Sequence, residues 1–181
     1  MEKRIIIAGS GGQGILFFGK LIAYAAMLEG KEITWFPSYG AEIRGGTATC
    51  TVVISDDIIG SPVIKQADIL IAMNEASYDK YIDRIAEGGM LIFDSSHVRR
   101  SASARDDIKL FPVPASEIAA ESGYAASANM ALTGSFSALS GLATPDCIFQ
   151  ALEKITPARR KNLTESNKTI IMKGHSFAAH P

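Results

Sequence analysis

The chain has 181 residues, 47% of them apolar, a formal net charge of −1, and two cysteines. That length supports one domain, over residues 1–181, with a full core, and the near-zero charge argues against nucleic acid as a main partner. No apolar run is long enough for a membrane span, and Cys50 and Cys147 form no paired motif, so the composition reads as a reduced, cytoplasmic protein.

Met1–Arg4 leads straight into Ile5-Ile6-Ile7-Ala8, a short apolar run of the kind that forms a buried parallel strand, with no sign of a signal peptide. A helix apolar on nearly every side follows from Gly14 to Glu29, with Gly30 placed to end it. Glu32–Phe36 predicts a second strand, stopped by Pro37. After a loop over residues 37–46, Ala48, Cys50, Val52 and Ile54 alternate with Thr47, Thr49, Thr51 and Val53. That period of two predicts a strand that is antiparallel or at an edge. Turn signals at Asp56-Asp57 and Gly60-Ser61-Pro62 precede another buried strand, Ile69–Met73. Asn74 is placed as the N-cap of a helix carrying Tyr78, Tyr81, Ile82 and Ile85 on one face and ending at Gly88-Gly89. Met90–Phe93 and residues 108–113 read as the last strands. From Ser116 onward the pattern is helical, with interruptions expected near Gly123, Gly134, Gly141 and Pro145.

Strand alternating with helix gives an α/β fold: a Rossmann-like three-layer sandwich with a mostly parallel central sheet and a helical C-terminal region. Residues 146–181 carry six of the 18 basic residues and three of the 19 acids. They read as a solvated helical face or as a docking surface for an acidic partner.

Gly9-Ser10-Gly11-Gly12-Gln13-Gly14 matches the dinucleotide-binding fingerprint. Glycines after a buried strand permit a tight turn and close approach of a pyrophosphate, and they open a helix whose N-terminal N–H groups favour anions. The nicotinamide reading also needs an acid at the end of the second strand to hold the ribose hydroxyls. That strand ends Trp35-Phe36-Pro37, and Glu32 lies at its beginning. Three readings stay open: a phosphate or pyrophosphate site, a purely structural turn, and NAD or FAD binding.

The second marked segment is Trp35–Gly46. Its loop follows the second strand at the same sheet edge, where open α/β sheets bind their ligands. Arg44, beside Gly45 and Gly46, can meet a phosphate with a forked contact, or it is an ordinary surface charge. Asn74 reaches the same rim, as a helix cap or as a ligand contact. His97, His175 and His180 are scattered without partners at ligand spacing, and Walker A, nucleophile-elbow and four-cysteine cluster patterns are absent. No catalytic residue and no metal ligand is assigned.

Together, GSGGQGILFFGKLIAYAAMLEG, TWFPSYGAEIRGGTATCTVVIS, GSPVIKQADILIAMN and, more loosely, ASANMALTGSFSAL resemble the gamma subunit of the 2-oxoacid:ferredoxin oxidoreductases. The likeness covers about residues 3–140. The form FPSYGAEIRGGTATCTV is more similar to the 2-oxoglutarate and branched-chain enzymes than to the pyruvate enzymes, and residues 145–181 match only generically.

The resemblance implies oxidative decarboxylation of a 2-oxoacid with CoA, giving acyl-CoA, CO₂ and reduced ferredoxin. It places thiamine diphosphate and iron–sulfur clusters in partner subunits of alpha, beta and delta (ferredoxin-like) type. This chain would assemble the complex and contribute to the CoA site, inactive alone. The residues facing CoA would be Gly9, Ser10, Gly11, Gly12, Gln13, Gly14, Arg44, Gly45, Gly46 and Asn74. Ser10 departs from the bulky apolar residue common there, and it either adds a hydroxyl donor or loosens the packing. Trp35, Phe36, Tyr39 and the apolar Met130–Leu142 region suggest an association surface and a homodimer in isolation. The competing readings are a stand-alone NAD(P)- or FAD-binding oxidoreductase and a purely structural subunit.

Overall fold

Strand β1 (Glu2–Ser10) is buried on both faces, with Ile5, Ile6, Ile7 and Ala8 each at most 1% exposed. Each buried isoleucine contributes about 1.5–3 kcal/mol relative to an exposed one. The computed structural model describes residues 1–39, 47–99 and 105–180. In it the remaining strands are β2 (Glu32–Tyr39), β3 (Thr47–Ser55), β4 (Ala67–Ala72), β5 (Ile85–Asp94) and β6 (Lys109–Val113). The helices are α1 (Ile15–Leu28), α2 (Glu75–Tyr81), α3 (Ala115–Glu121), α4 (Ala128–Ser140), α5 (Pro145–Ile155) and α6 (Thr164–Ala179).

The six strands form one sheet in the order β2-β3-β1-β4-β5-β6. Only β3 runs against the others, pairing antiparallel with both β1 and β2. β1-β4, β4-β5 and β5-β6 are parallel. The sheet is therefore mostly parallel, as the alternation of elements predicts. The period-two pattern of residues 47–54 correctly marks an antiparallel strand, although β3 lies inside the sheet and β2 forms the edge.

Strand alternation divides the core in two. Ile5, Ile7, Cys50, Val52, Ile69, Ile71 and Ile92 lie beneath a layer that includes α1, α3, α4, α5 and α6. Ile6, Ala8, Val53, Leu70, Leu91 and Phe93 pack on the other face with Tyr78 of α2, Ile64 and Val98. Helix α1 is apolar nearly all round because it sits between the sheet and the helices α4 and α5.

Several local expectations are corrected. Pro37 does not stop β2: it pairs with Cys50, and the strand continues to Tyr39. An edge strand has one unpaired side, where a residue without an N–H forfeits no ladder bond. Ile85 is not on the helix with Tyr78. That helix ends at Tyr81, a 3-10 turn spans Ile82–Arg84, and Ile85 opens β5. Gly88-Gly89 lie within β5, where the register against β4 jumps from Ala67↔Ile85 to Ile69↔Met90. Gly88 has φ +73°, and a Cβ on Gly89 would fall 2.8 Å from the Ala86 carbonyl oxygen. These glycines mark an irregularity in a strand and not a helix end.

Gly134 does not interrupt the C-terminal helices either. α4 runs unbroken through it, and a Cβ there would overlap the Ile171 carbonyl of α6; Gly174 of α6 meets the Ala131 carbonyl in the same way. The two glycines let the helix backbones touch, and Ser135 Oγ donates to Gly174 O at 2.9 Å across the contact. Met130, Leu132, Phe136 and Leu142 are buried, so this region is core and supplies no association surface. Gly123 and Gly141 do end helices, both at positive φ, and Pro145 opens α5 behind the N-cap Thr144.

Gly134→Ala is expected to destabilise the protein by about 1–3 kcal/mol through overpacking, despite alanine's better helix propensity. Gly60→Ala, at a position with open space around it, is expected to change stability by less than about 0.5 kcal/mol. Denaturant melts check both, and a stabilised Gly134→Ala would contradict the packing account. Cys50 is fully buried beneath Gly19, and burial pushes its thiol up to about 12. It is expected to resist maleimide at pH 8 until the chain unfolds, while the partly exposed Cys147 reacts. An unfolded chain releases this proton near pH 8.5, so the wild type should lose stability relative to Cys50→Ala as pH rises from there towards 12.

Candidate functional site

The C-terminal ends of β1, β4, β5 and β6 share one edge of the sheet, and the chain crosses from one side of β1 to the other between β3 and β4. That crossing point is where open α/β sheets form a ligand crevice. The segment Gly9–Gly14 and residues Met73-Asn74 meet there.

Gly9 ends the buried strand with no room for a side chain. A Cβ would lie 2.5 Å from Ile15 Cδ1, 2.7 Å from Gln13 Oε1 and 3.1 Å from Met73 Cβ. Gly14, at φ +75°, is the N-cap of α1, and a Cβ on it would overlap the Asn129 amide of α4. These two glycines serve packing. Gly11 and Gly12 differ: both are exposed, Gly12 has φ +94°, and nothing lies within 4 Å of either Cβ position. Their backbone is open to a ligand from outside.

Gln13 and Asn74 hold the loop's shape. Gln13 Oε1 accepts from Ser10 N at 2.6 Å, and Gln13 Nε2 donates to Met73 O at 3.2 Å. Asn74 Oδ1 accepts from Ser77 N at 2.8 Å, so Asn74 is the N-cap of α2. Its Nδ2 donates to Ser10 Oγ at 2.7 Å and to Gln13 Oε1 at 3.2 Å. Ser10 therefore braces the loop to the next strand's helix, which an apolar residue would not do. The N-terminus of α1 carries no side-chain cap and no acid in its first turn. Its free N–H groups and helix dipole favour an anion over Gly11 and Gly12.

The sheet order also bears on the nicotinamide reading. In a dinucleotide fold the second strand adjoins the first, so its terminal acid reaches the ribose. Here β3 lies between β1 and β2, placing the end of β2 two strand spacings away, about 10 Å. Within β2 the one acid is Glu32, at its start. Arg44, Gly45 and Gly46 lie outside the described residues.

A pocket of about 450 Å³ adjoins the loop, lined by Gly12, Gly14, Ser127, Asn129, Arg159 and Arg160, among others. The chain returns to the glycine loop through a 3-10 turn, Ala158–Leu163, set after Pro157. In the sequence these arginines belong to a segment that reads as a solvated helical face or as a docking surface for an acidic partner, and nothing local ties them to the glycine loop. The available signal was Arg159-Arg160 directly behind the break at Thr156-Pro157. Asn129 lies within the stretch ASANMAL, where the sequence alone carries no sign that its amide meets Gly14.

Among the described residues no helix is long and apolar enough to cross a membrane. A family model described as pyruvate ferredoxin/flavodoxin oxidoreductase matches residues 4–177. The chain is 38% identical over 177 residues to the ketoisovalerate oxidoreductase subunit VorA of Methanothermobacter thermautotrophicus, covering 98% of this chain and 36% of that protein. It thus spans about a third of the length of that curated relative.

Two solved structures are also similar. One is 2-oxoglutarate:ferredoxin oxidoreductase from Magnetococcus marinus with 2-oxoglutarate, coenzyme A and succinyl-CoA bound. Its TM-score is 0.88 at 26% identity, over 98% of this chain and 31% of that one. The other is the gamma subunit of a keto/oxoacid ferredoxin oxidoreductase from Geobacter sulfurreducens. Its TM-score is 0.84 at 28% identity, over 98% of this chain and 97% of that one. With the match running from β1 into α6, the chain belongs to the pyruvate ferredoxin/flavodoxin oxidoreductase family.

Proposed function

We propose that this chain is the gamma-type subunit of a ferredoxin-dependent 2-oxoacid oxidoreductase, with a 2-oxoglutarate or branched-chain 2-oxoacid as substrate. Its glycine loop takes the diphosphate of CoA. The observation that carries this reading is the open backbone of Gly11 and Gly12 over the uncapped start of α1. The CoA bound in the Magnetococcus marinus enzyme supports the choice of nucleotide. The displaced position of β2 weighs against NAD.

The complex converts a 2-oxoacid, CoA and oxidised ferredoxin into acyl-CoA, CO₂ and reduced ferredoxin. This chain's own donor set does not suit an iron–sulfur cluster: Cys50 is buried alone and Cys147 stands apart. Thiamine diphosphate and the clusters belong, in this reading, to alpha, beta and delta-type partners. The chain binds and orients CoA: backbone N–H groups of Gly11, Gly12 and Gly14 meet the diphosphate, Gln13, whose own N–H donates to Ser10 O, fixes the loop with Asn74 and Ser10, and Arg44 adds a forked contact. Trp35 and Phe36, 36% and 52% exposed on the edge strand β2, supply an association surface for a partner or a second copy.

In the complex assembled with its partner subunits, Gly12→Val should raise the CoA KM steeply. The branched side chain is strained at φ +94° and fills the space the phosphates need. Arg44→Ala should weaken CoA binding by about 1.5–3 kcal/mol, roughly ten- to a hundredfold, and Arg44→Lys should restore part of it. Cluster reduction by the 2-oxoacid without CoA should be unchanged, because decarboxylation takes place elsewhere. Steady-state kinetics with CoA and the 2-oxoacid varied separately test this. An unchanged CoA KM in Gly12→Val would overturn the assignment of the loop.

A further inference from the structure

The pocket beside the glycine loop has features that a diphosphate on Gly11 and Gly12 leaves unused. Its volume of about 450 Å³ falls in the range of small-molecule sites, and its walls come from α1, α4, the Ala158–Leu163 turn and α6. No carboxylate lines it, and two arginines do. Arg159 and Arg160 are exposed, and among the described residues neither guanidinium has a hydrogen-bonding or ionic partner. Other basic residues here are paired: Arg4 with Glu2, Lys31 with Asp56, and Lys168 with Glu153 and Glu165.

A second observation is independent of these charges. Asn129 is 7% exposed and lines the same pocket. Among the described residues its side-chain amide makes one hydrogen bond, a long donation, 3.4 Å, from Nδ2 to Gly14 O. A buried amide normally finds partners for its remaining groups, and here they are left to whatever fills the pocket. Asn167, opposite, accepts from Ser127 Oγ at 3.3 Å through Oδ1, which keeps its own amide N–H groups available.

Resting on the reading of the glycine loop as a CoA diphosphate site, we propose that Arg159 and Arg160 form a separate subsite for a phosphate monoester, the 3′-phosphate of the CoA ribose. A monoester dianion offers three terminal oxygens, enough for forked contacts from two guanidiniums, whereas a ribose hydroxyl offers neither the charge nor the oxygens. The backbone N–H groups at the loop take the bridged diphosphate, and the exposed, unpaired guanidiniums across the pocket take the monoester. The subsite makes this chain selective for CoA over nucleotides that carry only a diphosphate.

The test compares CoA with 3′-dephospho-CoA as the varied substrate of the assembled complex. The wild type should prefer CoA by about tenfold or more in KM, the scale of a charge-assisted phosphate contact. Arg159→Ala/Arg160→Ala should raise the KM for CoA to that for 3′-dephospho-CoA and leave the latter unchanged. The double lysine variant should recover part of the preference. Both positions are exposed, so thermal stability should not move. A double variant that weakens both coenzymes equally, or a wild type that does not distinguish them, would overturn the proposal. So would loss of assembly in the double variant, which would make the arginines a subunit contact. If Gly12→Val raises KM for both coenzymes while the double variant keeps the wild-type preference, the subsite falls and the glycine-loop reading stands. If Gly12→Val affects neither, both fall.

Discussion

Everything at this site follows from the absence of a side chain at Gly9. The buried strand β1 must turn at once into α1, and the turn brings Ile15, Gln13 and Met73 so close that no Cβ fits between them. Gly14 repeats the constraint at the other end of the loop against Asn129. Between these two packed points the backbone of Gly11 and Gly12 has nowhere to go but outwards. Packing thus produces the exposed N–H groups, and the helix behind them supplies the positive end of its dipole. A structural turn and an anion site are the same object here, assigned to different glycines.

The helical layer gives that loop its surroundings. α4 starts beside the loop because Gly134 and Gly174 allow α4 and α6 to touch backbone to backbone. α6 is preceded by the turn bearing Arg159 and Arg160, so the close helix pairing places two cations and the buried Asn129 around one pocket. A wider helix spacing would separate these groups. The conformational precision of the site therefore depends on small residues far from it in sequence.

Much of this was legible locally. The run Ile5–Ala8, the helix after Gly14, the alternation in β3 and the cap at Asn74 are each carried by a few neighbouring residues, and the structure contains them all. What failed was the meaning of glycine and proline. Gly88-Gly89 and Gly134 read as terminators because nothing in their own segments shows the neighbouring β4 or α6 that their missing side chains accommodate. Pro37 read as a stop because strand order, which makes β2 an edge, is not a local property. For the same reason the glycine loop was visible in the sequence, while Arg159 and Arg160 were not connected with it. They come to the loop only after the chain has built the whole sheet and returned through α5.

The account's central claim is that CoA sits against this chain's own backbone at the start of α1. Hydrogen–deuterium exchange of the assembled complex, with and without CoA, tests it most directly. The account predicts that CoA slows exchange of the amides at residues 11–17 and in the turn at 158–163, while the sheet is unchanged. Protection by CoA confined to the partner subunits, with residues 11–17 exchanging as before, would contradict it.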